Sequence, residues 1–250
     1  MKTKTQPVFT YENAKTVKGE DLGYLTAIRY LAPAGESIAA GGANVCPNAG
    51  ECAKVCLYTA GRGAFGQVKA ARIAKTLWRL RDRAGHLAAA SGEIVKAQRR
   101  AARKGVKLAV RLNGTSDLSA DALTLAKAHP DVQFYDYTKN VGVMKEYIAG
   151  TLPANYHLTL SYDPSTVPLA TVQALAAHAE ARKSFGVAVC FNTKRSADLP
   201  TTWEGLPVLD GDTHDLRFLD NTVASGAWIV GLRAKGAAKK PGLSTFTVTL

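Results

Sequence analysis

The feature that most constrains the fold of this chain is a regular alternation of strand-like and helix-like segments after residue 61. Short apolar runs typical of buried strands occupy residues 107–112, 132–137, 156–162, 187–192, 206–209 and 228–232, and an earlier run lies at 25–31. Between them, apolar residues at helical spacing occupy 67–90, 93–103, 119–128, 140–149 and 167–183. This alternation predicts right-handed crossovers and a mainly parallel sheet. We therefore predict an α/β fold, with a closed or partial (β/α) TIM-like barrel as the first choice and an open doubly wound sheet as the second.

The chain is expected to form a single domain over residues 1–250. Its length suffices for one substantial core, and no linker or low-complexity stretch divides it. Residues 1–18 are polar and contain several lysines, without the apolar stretch of a secretory signal. No run of about 18 apolar residues occurs, which argues against a membrane span. These features predict a cytoplasmic protein.

Three of the four cysteines, Cys46, Cys52 and Cys56, are spaced C-x5-C-x3-C in a loop at 44–63. Disulfides would require an oxidising compartment, so metal or cluster ligation is the preferred interpretation. Zinc sites usually combine two cysteine or histidine pairs, and this loop supplies only one half of such a site. The spacing therefore favours a [4Fe-4S] cluster, because thiolates bind such soft centres.

The fourth cysteine, Cys190, lies near the end of the strand predicted at 187–192. In a barrel this position is close to the mouth, where the cysteine loop could also lie. Two interpretations are open: a fourth cluster ligand, or a small buried core residue. His214 is a further candidate for the fourth position.

Polar residues recur where the predicted strands end, which is where barrel enzymes build their active sites. Arg111, Asp136 and Lys139 lie within or directly beside apolar strands, where an unpaired charge is costly. We predict that a shared pocket of opposite charges holds them. Polar residues also populate loops in general, so position by itself does not define a site.

The strand ends supply carboxylates that could form an acid/base pair: Asp117, Asp136, Asp210 and Asp212. Glycoside hydrolysis requires two carboxyl groups flanking the scissile bond. The candidate catalytic residues of such a hydrolase are Asp117, Asp136, Asp212, Arg111 and Lys139. The cations Arg111, Lys139 and Lys235 would equally suit a phosphate or carboxylate on the substrate. We therefore expect a polar or anionic substrate such as a glycan or nucleic acid. The alternative is a protein that binds such a ligand without catalysing a reaction.

The net charge of +12 is concentrated in one segment. Residues 62–107 contain thirteen Lys or Arg against two acids, Asp82 and Glu93. This surplus indicates either a solvated helical surface or contact with a polyanion such as nucleic acid. A polyanion-binding protein, in which the cluster only organises its loop, is therefore a further alternative function.

Several sequence blocks together resemble the phage "gene product 88" family. The blocks are Cys46-Pro47, Cys52, CLYTAGRG at 56–63, RLNGTSD at 111–117, FYDYTK at 134–139, YHLT at 156–159 and DGDTHDLRF at 210–218. The resemblance implies a phage-encoded protein in the cytoplasm of a bacterial host. It also implies that the three loop cysteines and the strand-end polar residues form one site, without naming the reaction.

The resembled family looks distantly like the cluster-bearing barrels of radical S-adenosylmethionine enzymes, and a glycosyl-hydrolase-like barrel is also plausible for it. Radical enzymes of that type use the spacing C-x3-C-x2-C, which differs from the spacing here. The sequence also contains no Gly-Gly-Glu segment after the second predicted strand. Hydrolase-like carboxylate chemistry is therefore preferred to the radical alternative.

Overall fold

The computed structural model describes residues 6–11, 14–179, 183–195, 198–222, 226–240 and 242–250. The strands in these ranges are β1 (Phe9–Thr10), β2 (Tyr24–Arg29), β3 (Lys107–Arg111), β4 (Gln133–Thr138), β5 (Tyr156–Ser161), β6 (Phe185–Phe191), β7 (Thr202–Trp203), β8 (Leu206–Asp210), β9 (Ala227–Arg233) and β10 (Thr247–Val248). The α-helices are α1 (Ala14–Glu20), α2 (Ala34–Ala39), α3 (Gly66–Arg81), α4 (Arg83–Arg103), α5 (Ser119–Ala128), α6 (Val141–Ile148) and α7 (Leu169–Ala179).

All ten strands belong to one sheet with the order β1-β2-β3-β4-β5-β6-β9-β8-β7, and β10 pairs separately with β6. The pairings from β2 through β6, β9 and β8 are parallel, whereas β1 and β7 pair antiparallel at the two ends. The predicted α/β class with a mainly parallel sheet is confirmed. Among the described residues, the strands at the two ends of the sheet are not hydrogen-bonded to each other, so the sheet does not close on itself.

The predicted helix over 67–90 is wrong in its extent. The first helix, α3, ends at Arg81, and the next residue, Asp82, caps α4 by accepting a hydrogen bond from the Gly85 N–H at 2.8 Å. The side chain of Asp82 satisfies a free amide at the start of α4, which favours a new helix there. Of the helix predicted at 167–183, residues 169–179 are confirmed as α7, and residues 180–182 lie outside the described ranges.

The two faces of the sheet bury different kinds of side chain. One face packs against helices, with α4 on β2 and β3, α5 on β4 and α6 on β5, and it carries the main apolar core. Alternation along the strands sends intervening residues to the opposite face. There, Ala109 and Tyr135 pack with Leu216, and Ala188 packs with Trp228. We call these the helix face and the cavity face.

The 3₁₀ segment Arg217–Thr222 packs on the cavity face near the amino ends of the strands. The ring of Phe218 lies 5.1 Å from that of Tyr24 and 5.6 Å from that of Tyr135, both edge-on. The carboxyl ends of the strands are left for other segments to line.

Candidate functional site

A cavity of about 470 Å³ lies at the carboxyl ends of the parallel strands. Arg111 at the end of β3, Tyr137 on β4 and Cys190 on β6 line its sheet side. The cysteine loop (residues 44–63) lines the opposite wall and contributes Cys46 and Cys56, together with Cys52. The structure therefore brings all four cysteines to one cavity.

The backbone of the cysteine loop turns sharply through three short 3₁₀ segments, Gly50–Val55, Leu57–Thr59 and Gly61–Ala64. Gly50 begins the first of them with φ at +54°, a conformation that side chains disfavour. A Cβ atom on Gly50 would also lie 2.8 Å from Cγ2 of Thr166. Only glycine fits this position.

The three loop thiols lie within electrostatic reach of one another. Burial, followed by the nearby Cys56 and Cys52, raises the pKa of Cys46 to about 12. Burial likewise raises the pKa of Cys56, with Cys52 again adding to the shift. As free thiols, Cys46 and Cys56 are therefore protonated at neutral pH, and a bound cation would be needed to hold them as thiolates.

Backbone hydrogen bonding acts on two of these thiols. The backbone of Ala34 lowers the pKa of Cys46 and the backbone of Tyr58 lowers the pKa of Cys56, in each case against the larger effect of burial. The carbonyl oxygen of Thr115 lies 3.4 Å from the Cys46 sulfur and accepts from its S–H. Within the described ranges, no group of three Cys, His, Asp or Glu side chains converges as a single metal ion would require.

Cys190 faces both a core and the cavity. It packs with Val55 of the cysteine loop and with Ala234 and Ala238. Burial raises the pKa of its thiol to about 11, and Cys52 is close enough to add to the shift. Both interpretations of this residue, ligand and core, are compatible with its position.

Asp163, just beyond β5, holds the cysteine loop in place. Its fully buried carboxylate accepts hydrogen bonds from the Cys52 N–H at 3.0 Å and the Glu51 N–H at 3.4 Å. Ser165 donates to the same carboxylate through its hydroxyl at 2.7 Å. The position of Cys52 is therefore fixed by a residue that is more than a hundred positions away in the chain.

The C-terminal segment holds the same loop from the other side. Ser244 donates its hydroxyl to the Glu51 carbonyl at 3.0 Å, and the Thr245 N–H donates to the Glu51 carboxylate at 3.2 Å. Phe246 then lines the cavity, and β10 pairs with the end of β6 beside Cys190. No sequence motif indicated this segment as part of the site, whereas Asp163 belongs to the strand-end polar residues at 161–163 but was not among the predicted site residues.

The sheet side of the cavity contains a buried ion pair. Nη1 of Arg111 lies 2.9 and 3.1 Å from the two carboxylate oxygens of Asp215, and Tyr135 donates its hydroxyl to the same carboxylate at 3.2 Å. The guanidinium also lies 4.4 Å from the centre of the Tyr137 ring. Although burial alone would lower the pKa of Arg111, Asp215 and the tyrosines raise it, so Arg111 is a permanent cation. Asp215 lies in the DGDTHDLRF block at 210–218 but was not among the predicted site residues.

Asp117 and Lys139 lie together at the cavity wall. The Asp117 carboxylate accepts from the Thr138 hydroxyl at 2.8 Å and from the Lys139 N–H at 3.0 Å. The Lys139 ammonium lies 5.3 Å from the centre of the Phe246 ring. Among the described residues it forms no ion pair with a carboxylate, so it is available to a ligand in the cavity.

Asp212, which also lines the cavity, is held by cations. Arg233 donates to it through Nε at 2.8 Å and through its backbone N–H at 3.1 Å, and Lys235 forms a short ion pair with its other oxygen. Although burial would raise its pKa, the bonds from Lys235 and Arg233 hold the pKa of Asp212 below its usual value. Asp212 is an ionised carboxylate with two cations attached.

Asp136 does not line the cavity, so the predicted pocket shared by Arg111, Asp136 and Lys139 is not formed as a set. Its carboxylate accepts from the Asn113 N–H at 2.7 Å, the Asn113 amide at 3.0 Å and the Tyr156 hydroxyl at 3.2 Å. Asp136 lies one residue from Tyr137, and neighbouring strand residues point to opposite faces. Its bonds instead hold Asn113, which does line the cavity.

Two other residues considered from the sequence lie at the edge of this arrangement. His214 lines the cavity, and its Nδ1 lies 3.0 Å from a guanidinium nitrogen of Arg217. Asp210 is not part of the cavity lining and accepts a hydrogen bond from the Asp212 N–H at 2.9 Å. Both residues are therefore peripheral to the four cysteines at the cavity.

Together, the fold and the site define an α/β protein with a cavity lined by cysteines at the carboxyl ends of its parallel strands. The chain belongs to the gene product 88 family, whose profile matches residues 4–244. The resemblance inferred from the sequence blocks is thus confirmed. Neither curated proteins nor solved structures contain a match to the chain. None of the helices in the described ranges is both long and apolar enough to span a bilayer.

Proposed function

We propose that this phage-family protein binds a [4Fe-4S] cluster through Cys46, Cys52 and Cys56 at the mouth of the cavity. The observation that carries the proposal is the convergence of three thiols from one short loop on a single cavity. Thiolates are ligands for soft centres, chiefly zinc and iron–sulfur clusters. The loop supplies no histidine, and the closely spaced cysteines favour the cluster.

The surroundings of the thiols fit a cluster better than a single ion. A zinc site requires four ligands around one atom, whereas a cubane binds each cysteine to a different iron and leaves the sulfurs further apart. Backbone hydrogen bonding by Ala34 and Tyr58 lowers the pKa of Cys46 and Cys56, which favours the thiolate form that a cluster needs. When bound, the cluster would supply electron transfer or a Lewis-acidic iron.

The cavity beside the cluster supports a polar or anionic substrate. Lys139 offers an ammonium group that no carboxylate neutralises among the described residues, and Arg111 offers a permanent cation on the sheet side. Cationic side chains bind carboxylates and phosphates through charge-assisted hydrogen bonds. Hydrolase-like chemistry would have to use Asp117 and Asp212, because they are the predicted catalytic carboxylates that line the cavity.

The hydrolase hypothesis requires one of these carboxylates to act as an acid. Asp212 is unsuited to that role, since Lys235 and Arg233 stabilise its ionised form. Asp117 would then be the acid and Asp212 the base or electrostatic partner. We expect Asp117→Asn and Asp212→Asn each to abolish glycan hydrolysis. Retained hydrolysis in both variants would exclude this chemistry.

A radical reaction with S-adenosylmethionine is the second candidate, and the fold favours it. The cysteine loop lies in the connection after β2, the first strand of the parallel series, at the strand ends where barrel enzymes build their sites. The cysteine spacing still differs from that of those enzymes. Prompt release of 5′-deoxyadenosine on anaerobic reduction with S-adenosylmethionine would favour the radical reaction over hydrolysis.

We also infer that the sheet curves as a partial barrel. From β2 to β6 each strand pairs with the next one in the chain, as in the winding of a (β/α) barrel. The cavity at the carboxyl ends and the Arg217–Thr222 segment at the opposite end support the same arrangement. Small-angle scattering that fits only a flat open sheet would contradict it.

The cluster proposal is tested by anaerobic purification with iron and sulfide analysis. We expect a brown protein with about four iron and four sulfide per chain, as a [4Fe-4S] centre requires. Cys46→Ala, Cys52→Ala and Cys56→Ala should each lose most of the iron. Cys190→Ala is the matched control: retained iron makes it a core residue, and lost iron makes it the fourth ligand. A colourless protein carrying stoichiometric zinc would overturn the proposal.

A further inference from the structure

Two groups among the basic residues between 62 and 107 differ in their contacts. The cations of the first group are held by contacts within the protein. Lys75 is buried and donates to a backbone carbonyl at 2.7 Å, and Arg79 and Arg83 donate to the carboxylate of Asp121 at 2.8–3.0 Å. Arg72 stacks 4.8 Å from the centre of a tyrosine ring. These cations stabilise the fold and are not available as a binding surface.

The second group forms a stripe on the outside of α4. Lys96, Arg99 and Arg103 are all exposed. At 3.6 residues per turn they fall within an arc of about 60°, and the stripe is about 10 Å long at 1.5 Å per residue. The buried residues of the helix, such as Ile94 and Ala97, lie on the opposite side. We call Lys96, Arg99 and Arg103 the α4 stripe.

No acid neutralises the α4 stripe within the described part of the chain. The two acids between 62 and 107 are committed elsewhere: Glu93 accepts hydrogen bonds from two backbone amides next to β1, at 2.8 and 3.1 Å, and Asp82 caps α4. Among the described residues, Lys96, Arg99 and Arg103 form no ion pair with a carboxylate. The stripe also lies outside the cavity lining, so it is a separate surface from the proposed cluster site.

We propose that the α4 stripe binds the phosphate backbone of double-stranded DNA without reading its sequence. Duplex DNA presents about one negative charge per 1.7 Å of its axis, which suits a straight, rigid row of cations. Phosphate oxygens take half to two-thirds of the hydrogen bonds in protein–DNA complexes, and these contacts carry no sequence information. Lysine and arginine are prominent donors to phosphate, and the α4 stripe consists only of these residues.

The test compares two triple variants of the full-length protein with equal charge change. Lys96→Gln, Arg99→Gln and Arg103→Gln remove the stripe, whereas Lys127→Gln, Lys145→Gln and Lys194→Gln remove three exposed lysines elsewhere. Fluorescence anisotropy measures the binding of a labelled random-sequence duplex between about 50 and 200 mM KCl. Because all six side chains are exposed, melting curves should show both variants folded.

The stripe variant should bind at least about tenfold more weakly at low salt, with the salt slope of log K reduced by about 2 to 3, while the control retains wild-type slope. Equal weakening in both variants would assign binding to overall charge and overturn the proposal. Failure of the wild-type protein to bind duplex DNA would also overturn it. So would tighter binding to single-stranded RNA or to an acidic polypeptide than to the duplex.

Discussion

The side chains of two arginines on adjacent strands, Arg29 and Arg111, point to opposite faces of the sheet. Ile28 of β2 is in register with Arg111 of β3, so the next residue, Arg29, points to the other face. On the helix face, Arg29 pairs at 2.9 Å with Asp121, which also binds two further arginines. On the cavity face, Arg111 pairs with Asp215 next to open space.

The two ion pairs differ in their access to water. Asp121 and the Arg29 side chain are fully buried, and burial lowers the pKa of Arg29 even though Asp121 opposes the shift. Arg111 lines the cavity, and Asp215 and the tyrosine rings raise its pKa despite burial. The helix-face pair is therefore structural, whereas the cavity-face pair leaves a cation at the cavity surface, as the proposed binding of an anionic substrate requires.

The largest expected effect is on the helix face. Asp121→Ala leaves Arg29 buried without its counterion, which should lower the free energy of unfolding by about 3–5 kcal/mol in urea denaturation. Asp131→Ala, which removes an exposed aspartate, is the control and should change stability little. If Asp121→Ala lowered the free energy of unfolding no more than the control does, the account of this cluster as structural would be wrong.

Asp215→Ala should cost less, about 1–3 kcal/mol, because water in the cavity can solvate Arg111. Urea denaturation of Asp215→Ala under the same conditions compares the two ion pairs directly. If Asp215→Ala destabilised the protein more than Asp121→Ala, the assignment of the cavity-face pair to ligand binding would be wrong.

The anchor of the cysteine loop gives an intermediate effect. Asp163→Asn replaces an acceptor of the Cys52 and Glu51 amides by a group that can donate, so one hydrogen bond is lost, at about 1–3 kcal/mol. We expect iron content per folded protein to fall as well. Ser165→Ala removes the hydroxyl bond to the same carboxylate and an acceptor of the Glu51 N–H at 3.2 Å, but it leaves the bond from the Cys52 N–H to Asp163, so it should cost about 1 kcal/mol with iron retained. Unchanged iron in Asp163→Asn would show that Asp163 does not position the ligand.

Asp136 gives an effect that appears as a change of stability with pH. Burial raises its pKa from 3.8 to about 7, against the opposing influence of Arg111 and Asn113. The folded state therefore retains a proton that the unfolded state loses between about pH 4 and 7, so stability falls as pH rises through that window, by at most about 1.4 kcal/mol per pH unit. Asp136→Asn should have a flatter profile than the wild type in urea denaturation. Parallel profiles would contradict this assignment.

The sequence predicted the parallel strands well because apolar runs and helical spacing are local signals. The alternation rule could also have placed Asp136 on the face opposite Tyr137, since the two are neighbours in one strand. The contacts of Asp163 and Ser244 with Glu51 could not be predicted, because they join residues far apart in the chain. Asp215 likewise became recognisable only through its distance to Arg111.

Mössbauer spectroscopy of protein prepared anaerobically with ⁵⁷Fe tests the central claim most directly. If Cys46, Cys52 and Cys56 hold a cubane, the spectrum of the oxidised protein contains the delocalised mixed-valence iron of a [4Fe-4S] centre, and this signal is lost in Cys52→Ala. A spectrum of isolated iron ions only, or the same iron content in wild type and Cys52→Ala, would contradict the account.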